Sequence, residues 1–445
     1  MRKRIKDLFI LTVVFIFSLS SCRKDTTMVY NPEDPYYRES KIKTLAGQWD
    51  YIWHAMDNQY VFWDIDATNW DALHDDMYDK FERLDKLIDS MYTECMADRI
   101  PFPDFMYGTE EVIADFMESE FSRALETLVD QHLKIKFYNR FAENSHTFRP
   151  GLANLKKRSD YHPSVTHSVA VEEDSDYSGF DYIYDGIVRN YKVEPCLSYS
   201  CEDETLWAYS CLLEESIAYL RTGSCSLSDP SKLGEIYDAV IPFFNNIRNM
   251  KEEGTLRGII LDFRGNTGGL AEDLAFFPGI FTQDTFIFSK QRTKIGLGRY
   301  DYTPWNYVKI NPNTEDRMDI GNIPIIILQD MYSASLGELT GYAFTLSVPS
   351  AVTIGERSLG ATGMLLLNCP DISHTGSANY QGDVSIYSST YDSRYFNREN
   401  GCWESFEGIG FEPDIYCPLD YDGLAAGGRD TQLDCAVEYI YSQND

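Results

Sequence analysis

The feature that most constrains the fold is a series of continuous apolar segments that alternate with longer amphipathic segments from about Ser216 onward. Segments that are apolar at every position are typical of strands buried on both faces of a sheet. The amphipathic segments between them have the spacing of helices that cover such a sheet. The sequence therefore predicts an α/β domain. Its predicted strands are 217–220, 258–262, 323–328 and 352–355, and its predicted helices are 234–250 and 333–346.

The residues before this alternation have two other patterns. From 45 to 141, apolar residues recur every three or four positions, which predicts helices, the last of them over 117–132. Residues 147–209 are irregular, acidic and short-stranded, without a legible peptide-binding module. The domain prediction is a helical domain over 44–145, an irregular β segment or degenerate peptide-binding module over 146–210, and the α/β domain over 211–445.

Composition limits the classes of partner. Lys and Arg number 39 against 70 Asp and Glu, a formal net charge of −31, and such a field repels nucleic-acid phosphates. The 10 cysteines include no CxxC pair and no Cys/His cluster with zinc spacing, so no metal and no organic cofactor is predicted. The aromatic content of 14% predicts a well-filled core, with stacking platforms for sugars or peptides as the alternative.

The first 22 residues have the pattern of a targeting segment. Positive charges precede an apolar run that is too short to cross a bilayer, as in a signal peptide. The sequence Leu19-Ser20-Ser21-Cys22 resembles a bacterial lipobox, which implies lipidation of Cys22, followed by a tether over 23–43. The alternative is a simple secretory signal with an incidental cysteine. The expectation is a lipoprotein of a Gram-negative cell envelope, of Bacteroidetes type, on the periplasmic face or the cell surface.

Two serines, Ser333 and Ser335, follow a predicted buried strand and begin a predicted helix. A hydroxyl at this place lies beside unpaired backbone N–H groups and the positive end of the helix dipole, which suits a nucleophile. The alternative is structural, because Ser335 and Glu338 also form the Ser-x-x-Glu pattern of a capping box.

A glycine-rich turn over 264–269 follows another predicted buried strand. Glycines allow the backbone to approach a ligand closely and to direct N–H groups toward it. The turn lacks the Gly-Lys-Ser/Thr of a phosphate-binding loop, and a tight structural turn is the remaining alternative. The amides of Gly268 and Leu336 are predicted to form an oxyanion hole.

Taken together, these segments resemble the carboxyl-terminal processing, or tail-specific, serine peptidase family over about residues 210–440. The resemblance implies a ClpP/crotonase-like α/β domain, a peptide or protein substrate, and Ser335 as the nucleophile. The four segments that carry it are Leu261–Gly269, Ser333–Glu338, Thr353–Gly360 and Gly410–Asp414.

The sequence departs from the family's Ser–Lys dyad at one position. The lysine of that dyad follows the glycine of the turn, where this chain has Ala361, and residues 357–368 contain no lysine. Arg357 cannot replace it, because a guanidinium is not deprotonated in proteins. A Ser–Lys mechanism is therefore excluded at this position.

The tricorn-core branch of the family uses histidine and glutamate instead. Its Ser-His signature resembles Ser145-His146, and its glutamate corresponds to Glu407, with Glu404 and Glu412 as neighbouring alternatives. The resemblance implies that His146 is the general base for Ser335 and that Ser145 and Glu407 orient it.

Two other classes of function fit the sequence. A catalytically inactive ligand-binding or carrier protein could use the same scaffold, as the missing lysine suggests. A glycan-binding surface lipoprotein would account for the aromatic residues. The leading prediction is a lipid-anchored serine endopeptidase with Ser335, His146, Glu407 and Ser145 as its catalytic residues.

Overall fold

A computed structural model describes residues 43–444 except 140, 142–143, 166–180, 200–206, 226–229, 296–297, 315, 366–376 and 381–383. The predicted leader 1–22 with Cys22, and the tether up to residue 42, lie outside the described residues. Within the part that the structure describes, no helix has the length and apolar character needed to cross a membrane.

The chain alternates helices and strands, as the sequence predicted for its second half. The helices are α1 Leu45–Gln59, α2 Trp70–Met96, α3 Phe102–Phe116, α4 Ser122–Ala124, α5 Pro150–Leu155, α6 Tyr182–Tyr191, α7 Pro230–Glu253, α8 Asp273–Phe281, α9 Leu336–Ser347, α10 Tyr421–Ala425 and α11 Thr431–Ser442, with a π turn over Met117–Phe121. The strands are β1 Lys134–Asn139, β2 Asn144–Phe148, β3 Cys196–Tyr199, β4 Trp207–Leu213, β5 Ile217–Thr222, β6 Gly258–Asp262, β7 Phe286–Arg292, β8 Asn306–Ile310, β9 Ile325–Gln329, β10 Ala351–Gly355, β11 Ser377–Tyr380, β12 Val384–Tyr387, β13 Asp392–Asn397, β14 Cys402–Glu404 and β15 Ile415–Tyr416.

A central sheet of seven strands has the order β15-β10-β9-β6-β5-β4-β3. The first five of these strands run parallel, and β4 and β3 are antiparallel. Every residue of β5, β6 and β9 is buried, because α7, α8 and α9 cover one face and α6 and α11 cover the other. The predicted α/β fold class is confirmed. The predicted domain boundary at 211 falls inside β4, so part of the segment predicted as irregular belongs to this sheet.

Strand register aligns the carboxyl ends of β6, β9 and β10. Asp262 pairs with Leu328, and Leu328 pairs with Ile354. The three segments that leave these strands therefore emerge at one edge of the sheet, the place where open parallel sheets bind their ligands. They are the glycine-rich turn, the turn that leads into α9, and the loop that follows β10.

The front part of the chain is less helical than predicted. The helix predicted over 117–132 ends at Ala124, and the residues after it lead into β1 rather than continuing a helix to Phe141. Strand β1 pairs with β2 and also with β12, which is more than 200 residues later in the sequence. The helical region and the C-terminal half thus share a four-stranded sheet of order β11-β12-β1-β2.

Several aromatic residues of the first helices form a buried core, whereas Tyr78, Tyr92, Phe102 and Tyr107 are exposed. Trp49, Trp70 and Phe81 are almost completely buried, with ring centroids 5.5–6.1 Å apart around Trp49. Such offset and edge-on ring pairs stabilise a core beyond the area they bury. These residues are not available as a platform for sugars.

Candidate active site

The turn between β9 and α9 presents Ser335 in a strained conformation. Its backbone has φ 51° and ψ −124°, a region that non-glycine residues rarely occupy and that costs about 1–3 kcal/mol. Ser335 is partly exposed, whereas Ser333 is buried and donates a 2.8 Å hydrogen bond to the carbonyl oxygen of Phe263. Of the two serines, only Ser335 is placed to meet a substrate.

Glu338 supports this turn from inside the protein. Its Oε1 accepts hydrogen bonds from the amides of Ser335, at 3.1 Å, and Ala361, at 2.7 Å. Its Oε2 accepts from the Ser358 hydroxyl at 2.6 Å and from the Gly360 amide at 3.0 Å. Burial raises the pKa of Glu338 to about 7, although all four donors favour the carboxylate.

The glycine-rich turn packs directly against the nucleophile. Gly268 has φ +100°, and a Cβ on it would lie 2.7 Å from the Ser335 Cβ and 2.8 Å from the Leu336 nitrogen. The Gly268 amide, however, donates a 2.9 Å hydrogen bond to Oδ1 of Asn266, so the predicted oxyanion role of Gly268 needs correction. The Leu336 amide lies in the first turn of α9, where N–H groups have no acceptor within the helix.

Four consecutive amides, residues 360–363, join two buried carboxylates; we call these residues the amide run. Gly360 and Ala361 donate to Glu338, as described above. Thr362 and Gly363 donate to Glu407 Oε2 at 2.7 and 2.6 Å. Ala361 is thus a backbone donor. The amide run connects the turn over residues 330–335, which carries Ser335 and which we call the nucleophile turn, to Glu407.

Glu407 lies buried at the far end of the amide run. Besides the amide run, it accepts from the Gln131 amide at 2.8 Å through Oε1, and its side chain is buried. Glu404 instead accepts from asparagine side chains, and Glu412 is exposed beside Arg357. The two neighbouring glutamates therefore lie outside this network.

His146 lies on strand β2, and no described hydrogen bond joins it to Ser335 or Glu407. It pairs with Phe137 in the middle of β1, and the charge that most affects its imidazole is Glu110 of α3. Its Nε2 is buried without a hydrogen-bond partner, and burial lowers the pKa of the ring. Ser145 directly precedes His146 on the same strand, β2, which lies at the edge of the four-stranded sheet. The Ser-His resemblance thus falls on a strand of the four-stranded sheet and not on the site.

His132, which the sequence analysis missed, is the histidine beside Glu407. One nitrogen of its ring and carboxylate oxygens of Asp130 and Glu407 lie within 4.8 Å of one another. Lys134, at the start of β1, is three strand residues from Phe137, or about 10 Å, and His132 lies beyond that end. His132 and His146 are therefore separated along β1.

Ser389 and Asp130 fix the imidazole of His132. The Ser389 hydroxyl donates to Asp130 Oδ1 at 2.9 Å and lies 3.4 Å from Nδ1 of His132. Because the single proton of that hydroxyl goes to Asp130, Nδ1 carries the donor proton of the ring. The lone pair of Nε2 is then available to accept a proton.

We call His132, Asp130, Ser389 and Glu407 the relay. Asp130, Ser389 and Glu407 are buried and His132 is partly exposed, and this environment shifts the pKa values of the group. Burial lowers the pKa of His132 to about 4, with the Lys134 cation adding to the effect. Burial, reinforced by the nearby Asp130 carboxylate, raises the pKa of Glu407 well above its usual range. Perturbed pKa values of this kind cluster at functional sites. The carboxylate oxygens already accept N–H and O–H groups, an arrangement that favours a hydrogen-bonded relay over a metal site.

A cavity of about 510 Å³ opens beside Glu407. Its wall includes Gln131, Trp403, Gly408 and Ile409. Its lining mixes apolar side chains with charged ones, among them Glu126 and Arg394.

Comparison with known proteins identifies the domain that carries Ser335. The model of Peptidase family S41 matches residues 217–417. This segment is similar to peptidase family S41, and we call it the S41 domain. The S41 domain contains the glycine-rich turn, the nucleophile turn, the amide run and Glu407, whereas His132 precedes it.

One solved structure shares the fold, and others match part of the chain. A protein from Parabacteroides merdae, described as a candidate peptidase, has a TM-score of 0.55 at 18% identity over 88% of this chain and 95% of its own. A candidate S41 protease from Bacteroides fragilis matches at 13% identity over 53% and 57%, with a TM-score of 0.36. The photosystem II D1 C-terminal processing protease matches at 14% identity over 47% of each chain, with a TM-score of 0.32. No curated protein matches the sequence significantly.

A sequence signal for His132 existed. Residues 134–139, Lys-Ile-Lys-Phe-Tyr-Asn, begin with the alternation of a half-buried strand and not with a helical period. With β1 assigned, His132 stands in a turn immediately before a strand, beside Asp130. The predicted helix over 117–132 was wrong beyond Ala124, and it placed His132 on an apolar helical face and not in a turn.

Proposed function

We propose that this protein is a serine peptidase in which Ser335 is the nucleophile and His132 is the general base. The observation that carries the proposal is the amide run, whose four N–H groups join the carboxylate behind Ser335 to the carboxylate beside His132. It brings the strained serine and the histidine beside Glu407 into one network.

The proposed reaction transfers one proton twice. Nε2 of His132 accepts the proton of Ser335 Oγ as the oxygen attacks the peptide carbonyl carbon. The imidazolium then gives that proton to the leaving amine as the C–N bond breaks and the acyl-enzyme forms. Water repeats the sequence and releases the acid. No hydrogen bond joins Ser335 to a histidine in the described residues. The proposal therefore requires substrate binding to bring Ser335 Oγ and Nε2 of His132 within hydrogen-bond distance.

The groups around the reacting atoms have separate roles. The Leu336 amide donates to the developing oxyanion. Asp130 and Ser389 keep the proton on Nδ1 of His132, and Glu407 lies beside the ring and holds the amide run. Glu338 holds the backbone of Ser335. No metal or organic cofactor takes part in this proposal.

The proposed substrate is a peptide or protein outside the cytoplasm. The leader and lipobox-like sequence before Cys22 support a lipid-anchored protein in the cell envelope. The matching family model supports peptide-bond hydrolysis, and cleavage within chains is our proposal.

The test compares two histidines. A fluorophosphonate, which reacts with activated serines, should label the wild type on Ser335, and Ser335→Ala should abolish labelling. His132→Ala should lower the labelling rate and casein hydrolysis by about 10²-fold or more, the size of a general-base contribution. His146→Ala, a matched change at the other histidine, should leave both rates unchanged.

Two results would contradict the proposal. If His146→Ala abolished labelling and His132→Ala did not, the base would be the other histidine. If the folded wild type were not labelled at all, the non-catalytic carrier would be favoured, a reading that Ala361 and the occupied amide of Gly268 support. Circular dichroism of each variant shows that its fold is intact.

A further inference from the structure

A segment that precedes the S41 domain contacts both of the loops that carry the proposed machinery. We call it the 155–163 segment. Leu155 packs with Met331 and Tyr332 of the nucleophile turn in a small buried cluster. Leu359, just before the amide run, packs against the same cluster. The segment therefore touches the two loops at one place.

Arg158 makes the most specific of these contacts. Its Nη1 donates to the carbonyl oxygen of Ser358 and its Nη2 to that of Arg357, both at 3.0 Å. Asp160 fixes the guanidinium through two hydrogen bonds, at 3.0 Å to Nε and 2.6 Å to Nη2. A guanidinium held in this way is pre-organised, and its side chain is only 11% exposed.

The carbonyl that Arg158 binds belongs to a junction residue. The Ser358 hydroxyl donates to Glu338 and accepts a 2.8 Å hydrogen bond from the amide of Phe411. The Ser358 amide donates back to the carbonyl oxygen of Phe411. Ser358 thus connects the residue that holds Ser335 with the segment that carries Glu407.

A second contact holds the nucleophile turn itself. The Tyr332 hydroxyl donates a 2.6 Å hydrogen bond to the carbonyl oxygen of His162. The His162 ring contacts Glu356 at 3.0 Å, at the start of the loop that leads to the amide run. Arg158 and His162 therefore both hold the loop over residues 356–358 that leads to the amide run, and His162 also holds the nucleophile turn.

We propose that Arg158 is a positioning residue that sets the separation of Ser335 and Glu407 through Ser358 and the amide run. It touches neither the nucleophile nor the cavity, so it acts on geometry and not on substrate contact. This inference rests on the proposed function, because it concerns the alignment of that site.

The experiment measures fluorophosphonate labelling of Ser335 as a function of probe concentration. Arg158→Ala should lower the maximal inactivation rate about tenfold or more, since small misplacements of reacting groups are costly. The half-saturating probe concentration should not change. Arg158→Lys should recover part of the rate. Tyr332→Phe, which removes one hydroxyl, should lower the same maximal rate even if Arg158→Ala folds poorly.

Lys157→Ala is the matched control, because Lys157 is adjacent, exposed and paired only with Glu126 among the described contacts. It should label at the wild-type rate. The inference is overturned if Arg158→Ala and Tyr332→Phe both label at the wild-type rate, or if only the half-saturating concentration changes. In those cases the wild type is still labelled and the proposed function stands. A wild type that is not labelled overturns both.

Discussion

At the scale of single residues, the site depends on polar groups that are buried and fully hydrogen-bonded. Glu338 and Glu407 each accept four hydrogen bonds, and most of the donors are backbone amides. Leaving such a donor without its acceptor costs about 1–3 kcal/mol. The carboxylates are therefore as important for loop conformation as for electrostatics.

The low pKa of His132 predicts an unusual pH profile. The base must be neutral, so activity should fall only as the pH drops through about 4, where burial places the pKa of His132. At pH 5.5 an ordinary histidine, with a pKa of about 6.5, is only about one-tenth neutral. We expect kcat/KM for casein to be nearly the same at pH 5.5 and pH 7.

The measurement is kcat/KM between pH 4 and 8, which reports the free enzyme. An acidic limb between pH 6 and 7 would contradict the prediction. A parallel thermal melt separates unfolding from titration, because a histidine whose pKa is lowered by folding also loses stability as the pH falls from about 6.5 to about 4.

At the scale of elements, the sequence predicted the strands and helices that have a local hydrophobic pattern. It did not predict the pairing of strands that are far apart in the sequence. The continuous apolar character of β6 and β9 was sufficient to identify a sheet covered on both faces, and Ser335 at the start of α9 followed from it. Ser335 and Glu407 were proposed from motifs within residues 217–417. His132 was missed because the residues before β1 were assigned to a helix, although the alternation in 134–139 indicates a strand, and because the pairing of β1 with β12 joins residues far apart in the sequence.

The close approach of the glycine-rich turn to α9 gives an element-level prediction. Gly268→Ala should lower labelling of Ser335 about 10²-fold, because the new methyl group would lie 2.7 Å from the Ser335 Cβ and displace it. Gly254→Ala is the control, since Gly254 also has a positive φ, +73°, but nothing within 4 Å of the added Cβ.

Both variants carry the strain of a Cβ at positive φ, and Gly268→Ala adds the clash with Ser335 and Leu336, so its unfolding midpoint in urea should fall further than that of Gly254→Ala. Only Gly268→Ala should lose labelling. Equal labelling of the two variants would mean that the contact between Gly268 and Ser335 does not shape the site.

At the scale of the whole molecule, a short sheet joins the front and back of the chain. Strand β1 pairs with β12, which places β2 and β11 at the two edges of one sheet, and Asp130 binds both the amide and the hydroxyl of Ser389. His132 and Asp130 thus come from the N-terminal part of the chain, whereas Ser389 and Glu407 come from its C-terminal half. The S41 domain by itself does not contain His132.

The lipobox-like sequence predicts membrane attachment that is independent of the site. In a Gram-negative host fed an alkyne fatty acid, the wild type should become labelled with lipid and partition into detergent, and Cys22→Ser should do neither. Fluorophosphonate labelling of Ser335 should be equal in both. Cys402→Ser, at an exposed cysteine far along the chain, is the control. Lipid labelling that survived in Cys22→Ser would contradict the lipidation of Cys22.

The pairing of β1 with β12 also has a consequence for biosynthesis. His132 emerges from the ribosome early, but Ser389 and Glu407 follow it by more than 250 residues. A chain that is still being made therefore contains His132 long before the residues that hold its ring. On the function proposed above, the nascent polypeptide would stay inactive until its synthesis is complete.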